Sequence, residues 1–485
     1  MAARVLLVLP IREGANFQIA PDLGLLYLGT ALRAEGFAVR ILDCPKEGYT
    51  YSDFGRLLQQ ERYDVVGFRC FSRDHNYVRY HAEIARRLLP NALTLVGGPH
   101  PSALPELVLD DMPAVDFAWQ AEAEEGLPVL LRLYGEYGRD LPESELAGIP
   151  GLVWRSREQG RIVVNPPGFL PDLDRYGIPA WDLVDPDSYP GFIWEEYYPL
   201  VTTRGCPYPC TYCNAPRLSG KKLRHRSPEN VVAELEHLHR RYGIRRFSIL
   251  DDEFTLHRQY VIELCEAILR AGLKLRWDCP NGVRIDTLDP DLLQVMERAG
   301  CEALAVGIES GSPRVQKAIQ KKVTVEEIRE RAFMIADCSR IRLTGYFMIG
   351  FLDETEEEIR ETIRFACSLP LWKANFNIVI PIPGTRIFQE LVDEGLLDPR
   401  QVNWDTLTSD QIAFRRRHVS GRRLVHLQRL AYLRFYGRPR IALHLARESL
   451  QNTEIIKATL RKFRMLSRRT ETYTFQPMYL RDRPV

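Results

Sequence analysis

Short apolar runs alternate with helix-like segments along most of the 485 residues, in two series separated by a proline-rich stretch. Strands joined through single helices lie parallel in one sheet, because a parallel pair needs a long crossover. The pattern therefore predicts an α/β protein. In the first series, strands are expected at 4–9, 38–42, 64–70, 93–97 and 116–119, and helices over 25–34 and 77–89, where apolar residues recur at three and four. A doubly wound, Rossmann-like sheet of this kind binds ligands at the carboxyl ends of its strands. Glycine-bearing segments fall there: Pro-Asp-Leu-Gly at 21–24 and Gly97-Gly98-Pro99-His100. No GxGxxG follows the first strand, which argues against an ordinary dinucleotide site.

Residues 141–196 read as a connector, with a hairpin expected from 151–154 and 161–164 and prolines accumulating over 166–190. Six more strand-and-helix units follow, with strands at 197–203, 246–251, 274–279, 302–308, 341–350 and 374–380. Six parallel units make a partial (β/α)6 barrel whose functional groups gather at the carboxyl-terminal strand edge. The expected organisation is thus 1–140, connector 141–196, barrel 197–400 and a basic helical extension 401–485.

Directly after the first barrel strand stands Arg-Gly-Cys-Pro-Tyr-Pro-Cys-Thr-Tyr-Cys, with thiols at Cys206, Cys210 and Cys213. Three thiols and no local fourth describe a metal centre held at three corners and open at one, as in an iron-sulfur cluster with one unligated iron. A zinc site completed by a distant ligand such as His225 is the alternative. The other seven cysteines form no such spacing and read as small buried hydrophobes.

The cysteine run resembles the signature of the radical S-adenosylmethionine enzymes, with Tyr212 in the aromatic position before the last cysteine. The resemblance implies a [4Fe-4S] cluster on Cys206, Cys210 and Cys213 that binds S-adenosylmethionine (SAM). It further implies contacts to the amino group from Asp251, Asp252 and Glu253, and to the carboxylate from Arg284, for which a structural ion pair is the other reading. Glu309 and Ser310, in Gly-Ile-Glu-Ser-Gly-Ser, correspond to the ribose-contacting element, and Gly350 to the region near the adenine. The first 140 residues, through Pro-Asp-Leu-Gly-Leu-Leu-Tyr-Leu-Gly, Asp-Val-Val-Gly-Phe and Val-Gly-Gly-Pro-His-Pro-Ser, resemble the cobalamin-binding domain found ahead of many such enzymes. Gly24, Ser72, Gly97, Gly98 and His100 are the candidate cobalamin contacts, although a histidine at a strand end also reads as a hydrogen-bonded structural residue. Two departures stand out. The DxHxxG motif is absent, Asp74-His75-Asn76 not matching it, and the usual Gly-Glu-Gly-Glu is Ala121-Glu122-Ala123-Glu124.

The implied activity is cobalamin-dependent methylation of an unactivated carbon in a large, apolar small molecule or lipid, as in class B radical SAM methyltransferases. Oxidative cyclisation of a tetrapyrrole or lipid, as in the anaerobic magnesium-protoporphyrin cyclases, is the second reading, and a SAM-binding scaffold or sensor without turnover the third. An external electron donor such as flavodoxin or ferredoxin is implied as a partner. No residue is assigned a catalytic role beyond cofactor binding.

Composition, 45% apolar and 27% charged, fits a chain of two or three domains with their own cores. With no secretory signal before Arg4 and no membrane-length apolar run, a reducing cytoplasm is the expected compartment. The net charge of +1 hides an asymmetry, since residues 411–485 carry 18 Lys and Arg against 4 Asp and Glu. Arg422, Arg423, Arg429 and Arg434 interleave with helically spaced apolar residues there, so the segment is expected to meet either an acidic face of its own protein or an anionic lipid surface at the inner membrane. Nucleic acid is not expected, because no recognition module accompanies the charge.

Overall fold

A computed structural model describes residues 3–11, 20–189, 198–404, 407, 414–439 and 441–443. The first sheet contains β1 (Arg4–Leu9), β2 (Ala38–Asp43), β3 (Val65–Arg69), β4 (Leu93–Gly97), β5 (Phe117–Trp119), β6 (Leu152–Ser156) and β7 (Arg161–Val164), in the order β2-β1-β3-β4-β5-β6-β7. Its first five strands are parallel, and β6 and β7 add to the edge antiparallel. The hairpin expected in the connector thus extends the first sheet, since pairing of Phe117 with Trp154 satisfies the edge that β5 would otherwise leave open. Along β1 the alternating residues face opposite layers: Val5, Leu7 and Leu9 join the core continuous with the second domain, while Leu6 and Val8 join a separate core. Burial on both faces explains why the strand reads as an unbroken apolar run.

The barrel sheet contains β8 (Pro199–Leu200), β11 (Arg246–Ile249), β12 (Arg276–Val283), β13 (Cys301–Glu309), β14 (Arg342–Ile349) and β15 (Lys373–Ile378), all parallel and in sequential order. The first expected strand, 197–203, is cut short. Its last residues form β9 (Thr203–Arg204), which turns away to pair antiparallel with β10 (Arg224–His225). The helices between strands carry their own start signals. Ser227 accepts from the Asn230 amide ahead of Pro228, and Thr324 with Glu327 and Thr355 with Glu358 form capping boxes.

The carboxyl-terminal helix, Gly421–Tyr436, lies against β15. Tyr432 and Tyr436 hydroxyls accept from the Phe376 and Ala374 amides at 3.2 Å each, and Gln428 donates to the Phe376 carbonyl at 2.6 Å. Side chains thereby satisfy an edge strand that has no further strand beside it. Several described arginines of this region are engaged by the protein itself, Arg423 with Glu356, Arg417 with Asp353 and Glu394, and Arg438 with the Cys367 and Leu369 carbonyls, whereas Arg415, Arg422 and Arg434 are exposed. Among the described residues no helix is long and apolar enough to cross a membrane. The remainder of the basic extension, 444–485, lies outside the described residues.

Candidate cofactor site

The paired strands β9 and β10 form the neck of the loop carrying the three cysteines. Gly205 opens the loop at φ 102°, and any β-carbon there would collide with the Lys222 carbonyl. The Cys206 amide donates to the Gly220 carbonyl at 3.0 Å and the Cys213 amide to the Cys210 carbonyl at 3.2 Å, while Thr211 ties the loop to Ile319 and Ile387. Cys206 and Cys210 are half-buried and Cys213 is exposed. Burial pushes the Cys206 thiol up to about 12, with Glu253, Cys213 and Asp252 adding to the rise. Binding of a metal centre replaces those protons, since thiolates are the ligands.

Among the described residues no three His, Cys, Asp or Glu side chains converge as a single ion requires. His225 stacks on Tyr260 with centroids 4.6 Å apart, and lies as close to His257. Three soft thiols on one loop are the ligand type that iron-sulfur clusters use.

The three carboxylates after β11 divide. Asp251 is buried and accepts from the Thr202 amide at 2.7 Å, the Thr203 amide at 3.0 Å and both threonine hydroxyls, so it fastens β8 to β11. Despite these bonds, burial raises its carboxyl to about 6. Glu253 accepts from the Thr255 amide and hydroxyl. Asp252, near the Gly205 amide at 3.4 Å, lines the cavity between the two sheets.

Glu309 ends β13 with φ 64°, in the left-handed region. Its Oε1 accepts from the Tyr212 hydroxyl at 2.9 Å and from Lys321 Nζ at 2.8 Å. Arg284 donates to Asp286 at 3.0 and 2.8 Å and to the Lys321 carbonyl at 2.7 Å, and its guanidinium lies 3.8 Å from the Tyr208 ring centre. Buried Arg284, paired to the half-buried Asp286, thus braces the cluster loop through the Tyr208 ring. Ser310 is occupied by Thr362 and the Ser312 amide. Gly350, at φ 84°, donates its amide to Glu354 and accepts at its carbonyl from Arg416 Nε at 2.6 Å.

Where the two carboxyl-terminal strand edges meet lies a cavity of about 320 Å³. Gly24, Gly97 and Gly98 line it from the first sheet, and Val201, Thr203, Arg204 and Asp252 from the barrel. Ser72 and His100 do not. His100 is fully buried, its Nδ1 3.0 Å from the Ser72 hydroxyl and its ring against His75 and Trp404, which is the structural placement. The 121–124 segment also lines the cavity, and its two glutamates cross the domain boundary. Glu122 accepts from Arg224 at 2.8 and 2.7 Å and from the Leu170 amide at 2.6 Å, and Glu124 accepts from Arg204 at 2.7 Å. Ala121 sits at φ 59°, a conformation natural for the glycine usual there. A glycine-edged, largely apolar cavity at the strand ends fits a large planar cofactor approached closely by backbone.

Sequence reasoning missed Lys321, Arg204, Arg224 and Arg416. Arg204 had a local signal, directly preceding Gly205 and Cys206, whereas the partners of the others lie on distant elements.

Fold and site together define a two-domain α/β enzyme with a three-thiol cluster loop facing a second cofactor domain. Family models for the Radical SAM superfamily and the B12 binding domain match residues 200–366 and 17–131 respectively. An uncharacterized methyltransferase of Pyrococcus horikoshii is 33% identical over 445 residues, which is 91% of this chain and 94% of that protein. The anaerobic magnesium-protoporphyrin IX monomethyl ester cyclase of Cereibacter sphaeroides is 26% identical over 401 residues, 81% of this chain and 64% of that one. In fold, the chain is similar to the radical S-adenosylmethionine methyltransferase TsrM from Kitasatospora setae, solved with cobalamin and a [4Fe-4S] cluster bound. The TM-score is 0.69 at 23% identity, over 81% of this chain and 78% of that chain. The chain belongs to the radical S-adenosylmethionine superfamily, in the group with a B12 binding domain ahead of the barrel. It is a radical SAM enzyme with a [4Fe-4S] cluster, SAM and cobalamin as its cofactors.

Proposed function

We propose that this enzyme transfers a methyl group to an unactivated carbon of a large, apolar small molecule or lipid. The observation that carries the reading is the shared cavity, walled by the glycine edge of the cobalamin-side sheet and by Asp252 and Arg204 of the cluster-side barrel. When bound, the cluster with SAM supplies a hydrogen-abstracting radical and cobalamin supplies the methyl group. The chain's own residues hold these groups in register. Cys206, Cys210 and Cys213 would ligate the cluster, and the Arg204–Glu124 and Arg224–Glu122 pairs keep the two strand edges facing each other. The extended methyltransferase relative, aligned over nearly the whole chain, supports methyl transfer. The cyclase relative supports oxidative cyclisation as the second reading.

Anaerobic reconstitution with cluster, cobalamin and methyl-labelled SAM tests both. 5′-Deoxyadenosine together with label in a product heavier by one CH2 unit, a methyl in place of the abstracted hydrogen, supports the first reading. 5′-Deoxyadenosine with a product lighter by hydrogen supports the second. A loaded, reduced protein that forms none is a SAM-binding scaffold or sensor.

An external one-electron carrier of the flavodoxin or ferredoxin type would reduce the cluster. The exposed Arg217, Lys221, Lys222 and Lys322 around the cysteine loop suit an acidic partner. An oxygen-sensitive cluster suits a reducing cytoplasm. Contact with an anionic membrane surface would fall to residues 444–485 together with the exposed Arg415, Arg422 and Arg434, because Arg417, Arg423 and Arg438 are engaged by the protein itself. Sedimentation with anionic vesicles, compared with a chain ending at 443, tests this contact.

A further inference from the structure

We propose that Lys321 is a positioning residue that aims the Glu309 carboxylate at the ribose hydroxyls of SAM. This rests on the assignment of Glu309 to the ribose, which the family resemblance supplies. Lys321 is itself 7% exposed, and its ammonium lies 2.8 Å from Glu309 Oε1 and 3.3 Å from the Tyr212 hydroxyl oxygen. A buried lysine placed against one oxygen of a carboxylate fixes which way the other oxygen faces. Glu309 Oε1 takes both donors, and Oε2 has no protein donor among the described contacts.

The backbone around this contact is strained in a way that requires support. Among the described residues, four non-glycine residues have positive φ, and three of them belong to this network: Glu309 at 64°, Gln320 at 55° and Lys322 at 59°. The two that flank Lys321 hold its side chain inward, against the ordinary preference of a lysine for solvent. Its carbonyl accepts from Arg284, whose guanidinium lies on Tyr208 of the cluster loop, so Lys321 is anchored to that loop at both ends. Gly307 completes the fit. A β-carbon there would lie 2.5 Å from Lys321 Nζ and 2.6 Å from Glu309 Oε1, so the strand keeps a glycine where the ion pair needs room.

The test compares equilibrium binding of S-adenosylhomocysteine with that of its 2′-deoxyribose counterpart by cluster-loaded protein. Wild type is expected to favour the ribose form by at least ~10-fold, because a site that pairs with a hydroxyl rejects the analogue lacking it. Lys321→Met and Gly307→Ala should bring that preference to within about 2-fold while iron content stays at the wild-type level, since neither change touches a thiol ligand. Lys321→Met leaves Glu309 without its ion partner and is the variant more exposed to misfolding. Gly307→Ala displaces the pair without removing a charge and serves as the independent arm. Full wild-type preference in either folded variant overturns the role of Lys321. Loss of preference in the wild type instead overturns the ribose assignment of Glu309 and the proposal with it.

Discussion

Arg204, two residues before Cys206, donates to Glu124 of the first domain at 2.7 Å, so the strand that leads into the cluster loop is tied to the wall of the neighbouring cofactor cavity. Both side chains are largely buried, with 14% and 9% of their surface exposed. The parallel pair, Arg224 with Glu122, is more enclosed and adds the Leu170 amide to the same carboxylate.

Replacing Glu122 by Ala leaves Arg224 buried without its partner. Removing one member of a buried pair costs about 3–5 kcal/mol. The expected outcome is a lower denaturant midpoint together with a lower cobalamin content after reconstitution, read from the visible spectrum, while iron content is retained. Unchanged cobalamin retention in a destabilised protein would separate the ion pair from the cavity.

Alanine at Cys206, Cys210 or Cys213 should remove the cluster without unfolding the chain. None of the three thiols is fully buried, so each substitution costs less than the ~2–5 kcal/mol of a large-to-small core change. Iron and sulfide analysis is expected to fall toward background, 5′-deoxyadenosine formation to vanish, and the far-ultraviolet dichroism to match wild type.

Glu354 predicts a pH dependence of stability. Burial pushes its carboxyl from an ordinary 4.5 up to about 8, with amide bonds from Gly350 and Phe351 opposing and Glu358 adding to the rise. Because the folded state holds the proton more tightly, this group's contribution is complete below pH 4.5 and is lost as pH rises toward 8. Its size is roughly 1.4 kcal/mol for each unit of difference between the folded and unfolded pKa. Glu354→Gln carries no such proton. The stability of wild type relative to this variant should therefore decline between pH 5 and pH 8, as measured by urea unfolding at a series of pH values.

Phenylalanine at Tyr432 and Tyr436 removes the hydroxyls that accept from the Phe376 and Ala374 amides. Each buried amide left without a partner costs about 1–3 kcal/mol. The double variant is expected to unfold at lower denaturant and to scatter more light on mild heating, since an open strand edge is a template for association.

Much of the architecture could be read from local pattern. A parallel strand is apolar because both its faces are covered, as β1 shows, and the cysteine spacing lies within eight consecutive residues. What escaped depends on partners far apart in the chain. The resemblance places Asp251 with Asp252 and Glu253 at the SAM amino group, and what no local pattern shows is that four bonds from Thr202 and Thr203, about fifty residues earlier, also make it a brace. Lys321 stands in no motif that the sequence offers. Only the return of the chain past the end of β13 brings it to Glu309. The departure at 121–124 read as a weakened cofactor motif, but its glutamates hold arginines from the other domain, a role no local spacing announces.

The sealing of β15 by Tyr432, Tyr436 and Gln428 has a consequence for synthesis. The residues that cover the strand lie 52 to 62 positions after the ones they bond, so the strand leaves the ribosome and can reach the barrel while its outer backbone is still bare. At the typical pace of elongation, that interval lasts on the order of several seconds. The enzyme is thus most vulnerable to association late in its translation, and a chain stopped shortly before residue 421 would carry that vulnerability permanently.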